Sequence, residues 1–237
     1  SKTAKRRLDW IPDFEKFEKQ ASDPANYIAG RGVEHFTRYR EDFDILKQLN
    51  LNAFRFTVEW SRIEPEQGKF DAAAINHYRE YIAELKARGI EPFLNLWHWT
   101  VPIWFAEKGG FAKRGNIKYF EEFVAKVTQE LLPNVQYVIT LNEPNVYASF
   151  SYSTGEWPPQ EKNNLKMFWV YYNLIAAHKR AYKIIKKYVP RVQVGVAQQL
   201  ADIQPYDQDS FSDELATKIM RYGWNWWWLN RIRRHQD

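Results

Sequence analysis

Residues 137–144 read Tyr-Val-Ile-Thr-Leu-Asn-Glu-Pro. The apolar, β-branched run from Tyr137 to Leu141 has the length and composition of a buried strand. It stops abruptly at an amide, a carboxylate and a proline. An unpaired carboxylate in a buried strand is costly unless it takes a proton. Glu143 is therefore either paired or placed for chemistry, and α/β folds put their active sites at the carboxyl ends of strands. The competing reading is a rim carboxylate ahead of a helix, since Pro144 suits a first helical turn. Neighbours on an extended strand point to opposite faces. Asn142 and Glu143 can thus share a pocket only if the strand end is bulged or turns early.

Working outward, three more strands are expected. Residues 53–60 alternate Phe54, Phe56 and Val58 with Arg55, Thr57 and Glu59. Residues 91–97 lead into His98 and Trp99, and residues 193–198 form the last strand. Helical spacing predicts helices over 33–49, 72–88, 102–108, 116–132, 165–188 and 213 to about 234. Asp71 is the expected N-cap and Gly89 the C-cap of the second of these. Residues 1–32 read as an insertion loop with one short amphipathic piece at 13–20. The chain is thus expected to be a single domain over 1–237, with about four βα units in 33–237.

Strand and helix alternate, which means α/β with a parallel sheet. The choice lies between a doubly wound sheet and a barrel. No Gly-x-Gly-x-x-Gly or P-loop follows any strand, which counts against a nucleotide-binding doubly wound fold. Chemical residues at several strand ends favour the barrel.

Arg55 lies inside a strand and needs a counter-ion in a barrel interior. It either keeps a catalytic carboxylate ionised or forms a structural ion pair, with Glu59 as one partner. His98 can donate to a ligand hydroxyl at neutral pH. Trp99 offers a flat stacking surface. No second ligand stands at helical or strand spacing from His98, so no metal site is expected. Glu59 is the rival carboxylate, and pairing with Arg55 or Arg62 is its expected fate. Trp224, Trp226, Trp227 and Trp228 cannot share one helix face, so packing is expected for most of them.

Composition narrows the classes. Aromatic residues make up 17% of the chain, with 11 Trp, 14 Tyr and 15 Phe. Such rings pack cores and also stack on sugars and bases. There is no Cys, so disulfides and thiolate metal sites are out. This suits a cytoplasmic protein. No apolar run is long enough for a bilayer and no signal peptide is evident. The net charge is +5, but the basic groups are scattered, and solvated helix faces explain them better than nucleic-acid binding. No pattern calls for a cofactor.

At this point four stretches resemble a known family. Residues 52–65, NAFRFTVEWSRIEP, resemble the second strand and loop of the family 1 glycoside hydrolases, the β-glucosidase and β-galactosidase group. Residues 96–111, LWHWTVPIWFAEKGGF, resemble their third strand. Residues 140–145, TLNEPN, resemble their acid/base strand. Residues 224–237, WNWWWLNRIRRHQD, resemble the helix before their sixth strand.

The resemblance implies a (β/α)8 TIM barrel and a retaining β-glycosidase acting on β-linked glucosides or galactosides. Glu143 would be the general acid/base. His98 and Asn142 would bind sugar hydroxyls, Trp99 would lie along the sugar, and Arg55 would hold the nucleophile carboxylate ionised. The nucleophile, in a Thr-Glu-Asn-Gly-like motif in the family, has no counterpart in this sequence. About strands two to five are written here, half a barrel. Such a half leaves two sheet edges and an apolar face open, so a complementing chain or self-association is expected, and the chain alone is expected not to turn over. The alternative is a non-catalytic carbohydrate-binding or scaffold fragment of the same fold.

Overall fold

The computed structural model describes residues 32–233. The insertion-loop reading of residues 1–32 falls almost wholly outside them. Four parallel strands form one sheet in the order β1-β2-β3-β4: β1 Ala53–Thr57, β2 Glu91–Asn95, β3 Tyr137–Asn142 and β4 Gln193–Ala197. Helix α1 (His35–Gln48) precedes β1. Helices α2 (Trp60–Ile63) and α3 (Ala72–Ala87) cross from β1 to β2. Helices α4 (Ile103–Glu107) and α5 (Ile117–Leu131) cross to β3, and α6 (Pro144–Tyr152) and α7 (Asn164–Tyr188) cross to β4. After β4 come α8 (Phe211–Arg221), a π-helical turn (Tyr222–Trp226) and α9 (Trp227–Arg233).

Register decides which face each side chain takes. Phe56, Leu94, Val138 and Val194 lie in one row across the sheet, and the row is turned to the helices. Arg55, Phe93, Tyr137 and Gln193 form the next row on the opposite face. There the rings of Phe93 and Tyr137 stack 4.4 Å apart, while Arg55 and Gln193 on the outer strands are exposed. The helix side is packed with rings: Trp60 lies 5.0 Å from Phe123 and 4.7 Å from Phe105.

Local signals act as read. The Asp71 carboxylate accepts from the Ala73 and Ala74 N–H groups at the start of α3, and Gly89 takes a left-handed φ of 73° just past its end. Several boundaries differ: the second strand ends at Asn95, not at residue 97, and the first helix starts at His35, not at residue 33. The first strand stops at Thr57, not at residue 60, because Trp60–Ile63 winds into a helical turn that buries Trp60 and Ile63. The last helix starts earlier, at Phe211, where the Ser210 hydroxyl caps the Asp213 N–H, and it is widened by the π-helical turn at Tyr222–Trp226. Of the tryptophans there, Trp228 is fully buried and Trp227 and Trp228 both stack on Tyr171, whereas Trp226 is exposed. Among the described residues no helix is long and apolar enough to cross a membrane, and no group of three metal-ligating side chains comes together.

One polar contact ties α7 to β3. His178 is buried, and its Nδ1 lies 2.7 Å from the Thr140 hydroxyl. Burial pushes the imidazole down to about 4. The native state therefore holds His178 neutral while the unfolded chain protonates near 6.5. Stability is complete above that pH and falls as pH drops from 6.5 toward 4, by about 3 kcal/mol in all. Urea denaturation at pH 7 and pH 5 is expected to show about 2 kcal/mol of this difference, and His178→Gln is expected to lose it. An unchanged difference in the variant would refute the assignment.

Candidate active site

The end of β3 is not a continuation of the strand. Pairing with β4 shifts register between Ile139 and Asn142. Plain alternation would send Asn142 to the helix side with Val138 and Thr140. The shift turns it round instead, and its Oδ1 accepts from the Arg55 guanidinium on the opposite face. Glu143 then takes a left-handed backbone, φ 43° and ψ 60°. Such a conformation is uncommon for a residue with a side chain and persists only where its surroundings hold it. Here the Glu143 N–H donates to the Ala197 carbonyl at 2.7 Å, and Pro144 begins α6. The Asn142 amide donates to Glu143 Oε2 at 3.3 Å. Arg55, Asn142 and Glu143 thus form one hydrogen-bonded chain. The bulge or early turn that the sequence requires is present as both.

At the end of β2, Trp99 also has a left-handed backbone, φ 73°. The Thr100 N–H closes a tight turn on the His98 carbonyl at 2.9 Å. The Trp99 indole donates to the Asn142 carbonyl at 3.0 Å, which joins the ends of β2 and β3. His98 lies edge-on to the Trp99 ring, 4.7 Å away. Burial, and then the Arg55 charge, push the His98 imidazole below its ordinary range, against a smaller upward pull from Glu143 and Glu59. At neutral pH it is uncharged, with one N–H to donate and one nitrogen to accept.

Glu59 corrects the expectation for it. Among the described residues it makes no ion pair with Arg55 or Arg62. Its Oε1 accepts from the hydroxyls of Ser61 and Thr100, each at 3.0 Å. Arg62 lies over the Phe36 ring instead, and Arg55 is taken by Asn142. The strand ended early, so the chain turned into α2 and carried Arg62 away from Glu59.

A cleft of about 390 Å³ opens at these strand ends. It is lined by Thr57, Glu59, His98, Trp99 and Thr100 on one side and by Tyr147, Ser151, Trp157 and Pro158 on the other. The rings of Trp99 and Trp157 sit 4.5 Å apart, and Trp157 stacks on Phe150. Of the five residues singled out from the sequence, His98 and Trp99 line this cleft. Asn142 and Glu143 do not, although Trp99 links them to it. Arg55 lines a second cavity of about 280 Å³ with His35, His77 and Tyr81. Sequence reasoning missed Thr57, Thr100, Tyr147 and Trp157 as site residues. Trp157 carried a usable signal, a large ring between Gly155 and Pro158 in a polar loop.

The model of glycosyl hydrolase family 1 matches residues 9–235. The chain is similar to a probable inactive β-glucosidase of Arabidopsis thaliana, 31% identical over 88% of this chain and 43% of that protein. It is also similar to β-glucosidase A of Thermotoga maritima, 32% identical over 69% of this chain and 37% of that one. Among solved structures, a β-glycosidase from Pyrococcus horikoshii superposes with a TM-score of 0.79 at 39% identity, over 83% of this chain and 45% of that chain. This chain therefore spans less than half the length of these relatives. Such enzymes are (β/α)8 barrels, and the four-stranded sheet is about half of one. With a family match over nearly its whole length, the chain belongs to glycosyl hydrolase family 1.

Proposed function

We propose that this chain supplies the acid/base half of a retaining β-glycosidase acting on β-glucosides or β-galactosides. The observation that carries the reading is the hydrogen-bonded chain Arg55–Asn142–Glu143, which a bulge and a left-handed residue assemble at the carboxyl end of β3. Glu143 is the general acid/base. His98 and Asn142 take sugar hydroxyls, and Trp99 stacks along the ring. Arg55 stands beside the position of the nucleophile, a carboxylate in the part of the barrel that the relatives hold beyond this chain's span.

The chemistry needs two carboxyl groups about 5 Å apart. The nucleophile attacks the anomeric carbon while Glu143 gives its proton to the departing glycosidic oxygen. In the second step the Glu143 carboxylate takes a proton from water, whose oxygen attacks the same carbon and releases the nucleophile. In this reading Glu143 does the proton transfers of both steps, and the nucleophile comes from the rest of the barrel. Alone, the chain is expected to leave 4-nitrophenyl β-glucoside uncleaved. Mixed with a polypeptide carrying the remaining strands of a family barrel, it is expected to cleave it. A chain that turned over alone at ordinary glycosidase rates would overturn the division of labour.

A second reading is a sugar-binding fragment without turnover. One observation favours it: the aromatic cleft at Trp99 and Trp157 is not lined by Glu143. Under this reading the complemented barrel binds a glycoside and still fails to cleave it.

A further inference from the structure

The His98–Thr100 turn carries both cleft-lining residues assigned to the sugar, and its backbone is unfavourable. Trp99 sits in left-handed space, which a non-glycine residue keeps only when its surroundings fix it. Beyond its own closing bond and the Trp157 ring against Trp99, two side-chain hydrogen bonds hold the turn among the described residues. One is the Trp99 indole on the Asn142 carbonyl. The other is the Thr100 hydroxyl on Glu59 Oε1.

Glu59 is well placed to be an anchor. Its own N–H donates to the Tyr78 hydroxyl of α3 at 2.9 Å, so its backbone is fixed from the helix layer. Its Oε1 receives Ser61 from the β1 side and Thr100 from the β2 side. A single carboxylate oxygen thus clasps the ends of two neighbouring strands. Hydrogen bonds to a charged acceptor are stronger than those between neutral groups.

Resting on the β-glycoside reading above, we propose that Glu59 is a positioning residue of the sugar site, which holds the His98–Thr100 turn through Thr100. It does not touch the reacting atoms. It sets where the His98 nitrogens and the Trp99 ring stand when a sugar arrives. Nothing in the acid/base role of Glu143 calls for a second carboxylate at this point, and the clasp supplies its reason.

The test uses the chain complemented with the remaining strands of a family barrel, three test variants, one assignment variant and two readouts. The first readout is hydrogen exchange of the Trp99 indole N–H, followed by nuclear magnetic resonance and assigned with Trp99→Phe. The second is affinity for 4-nitrophenyl β-D-thioglucoside, a glycoside that is not hydrolysed. Thr100→Val removes the donor and Glu59→Ala removes the acceptor. Each is expected to speed indole exchange and weaken thioglucoside binding about tenfold, the scale of losing one charge-assisted hydrogen bond. Glu59→Gln keeps an oxygen that can accept both hydroxyls, and it is expected to stay within about threefold of the parent.

Unchanged indole exchange in Thr100→Val and Glu59→Ala would overturn the proposal. So would a Glu59→Gln variant as impaired in binding as Glu59→Ala beside a normal Thr100→Val, since Glu59 would then contact the sugar itself. A complemented parent that shows no thioglucoside binding counts against the β-glycoside reading, while the exchange rates still decide the role of Glu59.

Discussion

Glu143→Gln is expected to lower turnover of an alkyl β-glucoside by about 10²–10⁴-fold in the completed barrel, the range set by loss of a general acid–base. That is about 3–5 kcal/mol of transition-state stabilisation. An alkoxide is a poor leaving group and needs the proton that Glu143 would give. Glutamine has nearly the same shape and can still accept from the Asn142 amide, so the bulged end of β3 is preserved. The loss is therefore expected in turnover, with thioglucoside affinity kept. A 2,4-dinitrophenyl glucoside leaves without protonation, so its first step is expected to survive the substitution. Its second step stalls for want of a base to activate water, and added azide, which needs no base, is expected to restore turnover as the β-glucosyl azide forms. Pre-steady-state release of dinitrophenol separates the two steps. Full activity of Glu143→Gln on the alkyl glucoside would remove Glu143 from the mechanism.

What could be read from the sequence follows the range of the forces involved. The four strands, the Asp71 cap and the turn forced by Asn142-Glu143-Pro144 are set by residues a few positions apart, and all appear near their expected places. The requirement that Asn142 and Glu143 reach one region implied a bulge, because alternation leaves no other way. Two features lay beyond such reasoning. Residues 53–60 have an alternating pattern, yet the strand ends at Thr57 because Trp60 is drawn into the helix layer against Phe123, from an element 63 positions later. Tertiary burial of a large ring outweighs local strand preference. The nearness of Arg55 and Arg62 in sequence predicts a charged partner for Glu59. Its actual partners, Ser61 and Thr100, include a hydroxyl 41 residues away. A carboxylate satisfied by neutral hydroxyls leaves no charge pattern to detect.

The same long-range packing makes Trp60 the residue whose loss should hurt the fold most. It is 1% exposed, ringed by Phe105, Phe120 and Phe123, and its indole donates at 2.8 Å to the fully buried carboxylate of Glu64. Trp60→Ala is expected to cost about 3–5 kcal/mol for the emptied volume. It costs about 1–3 kcal/mol more for the buried carboxylate oxygen left without its donor. Against a typical total of about 5–15 kcal/mol, the variant is expected to be largely unfolded at room temperature. Trp60→Phe weights the two contributions differently, since it keeps a ring in the core and removes the N–H. Burial already pushes the Glu64 carboxyl above its ordinary range, opposed by the N–H groups of Trp60 and Gly68. Removing one of these donors raises it further. A raised acid stabilises the native state fully at low pH and less as pH rises through the folded value. The deficit of Trp60→Phe relative to the parent is therefore expected to be larger at pH 7 than at pH 4, by about 1–2 kcal/mol. Glu64→Gln in both backgrounds should abolish that pH dependence. Urea denaturation of the four proteins at the two pH values measures it, and a deficit that stays the same at both would mean that Trp60 acts through packing alone.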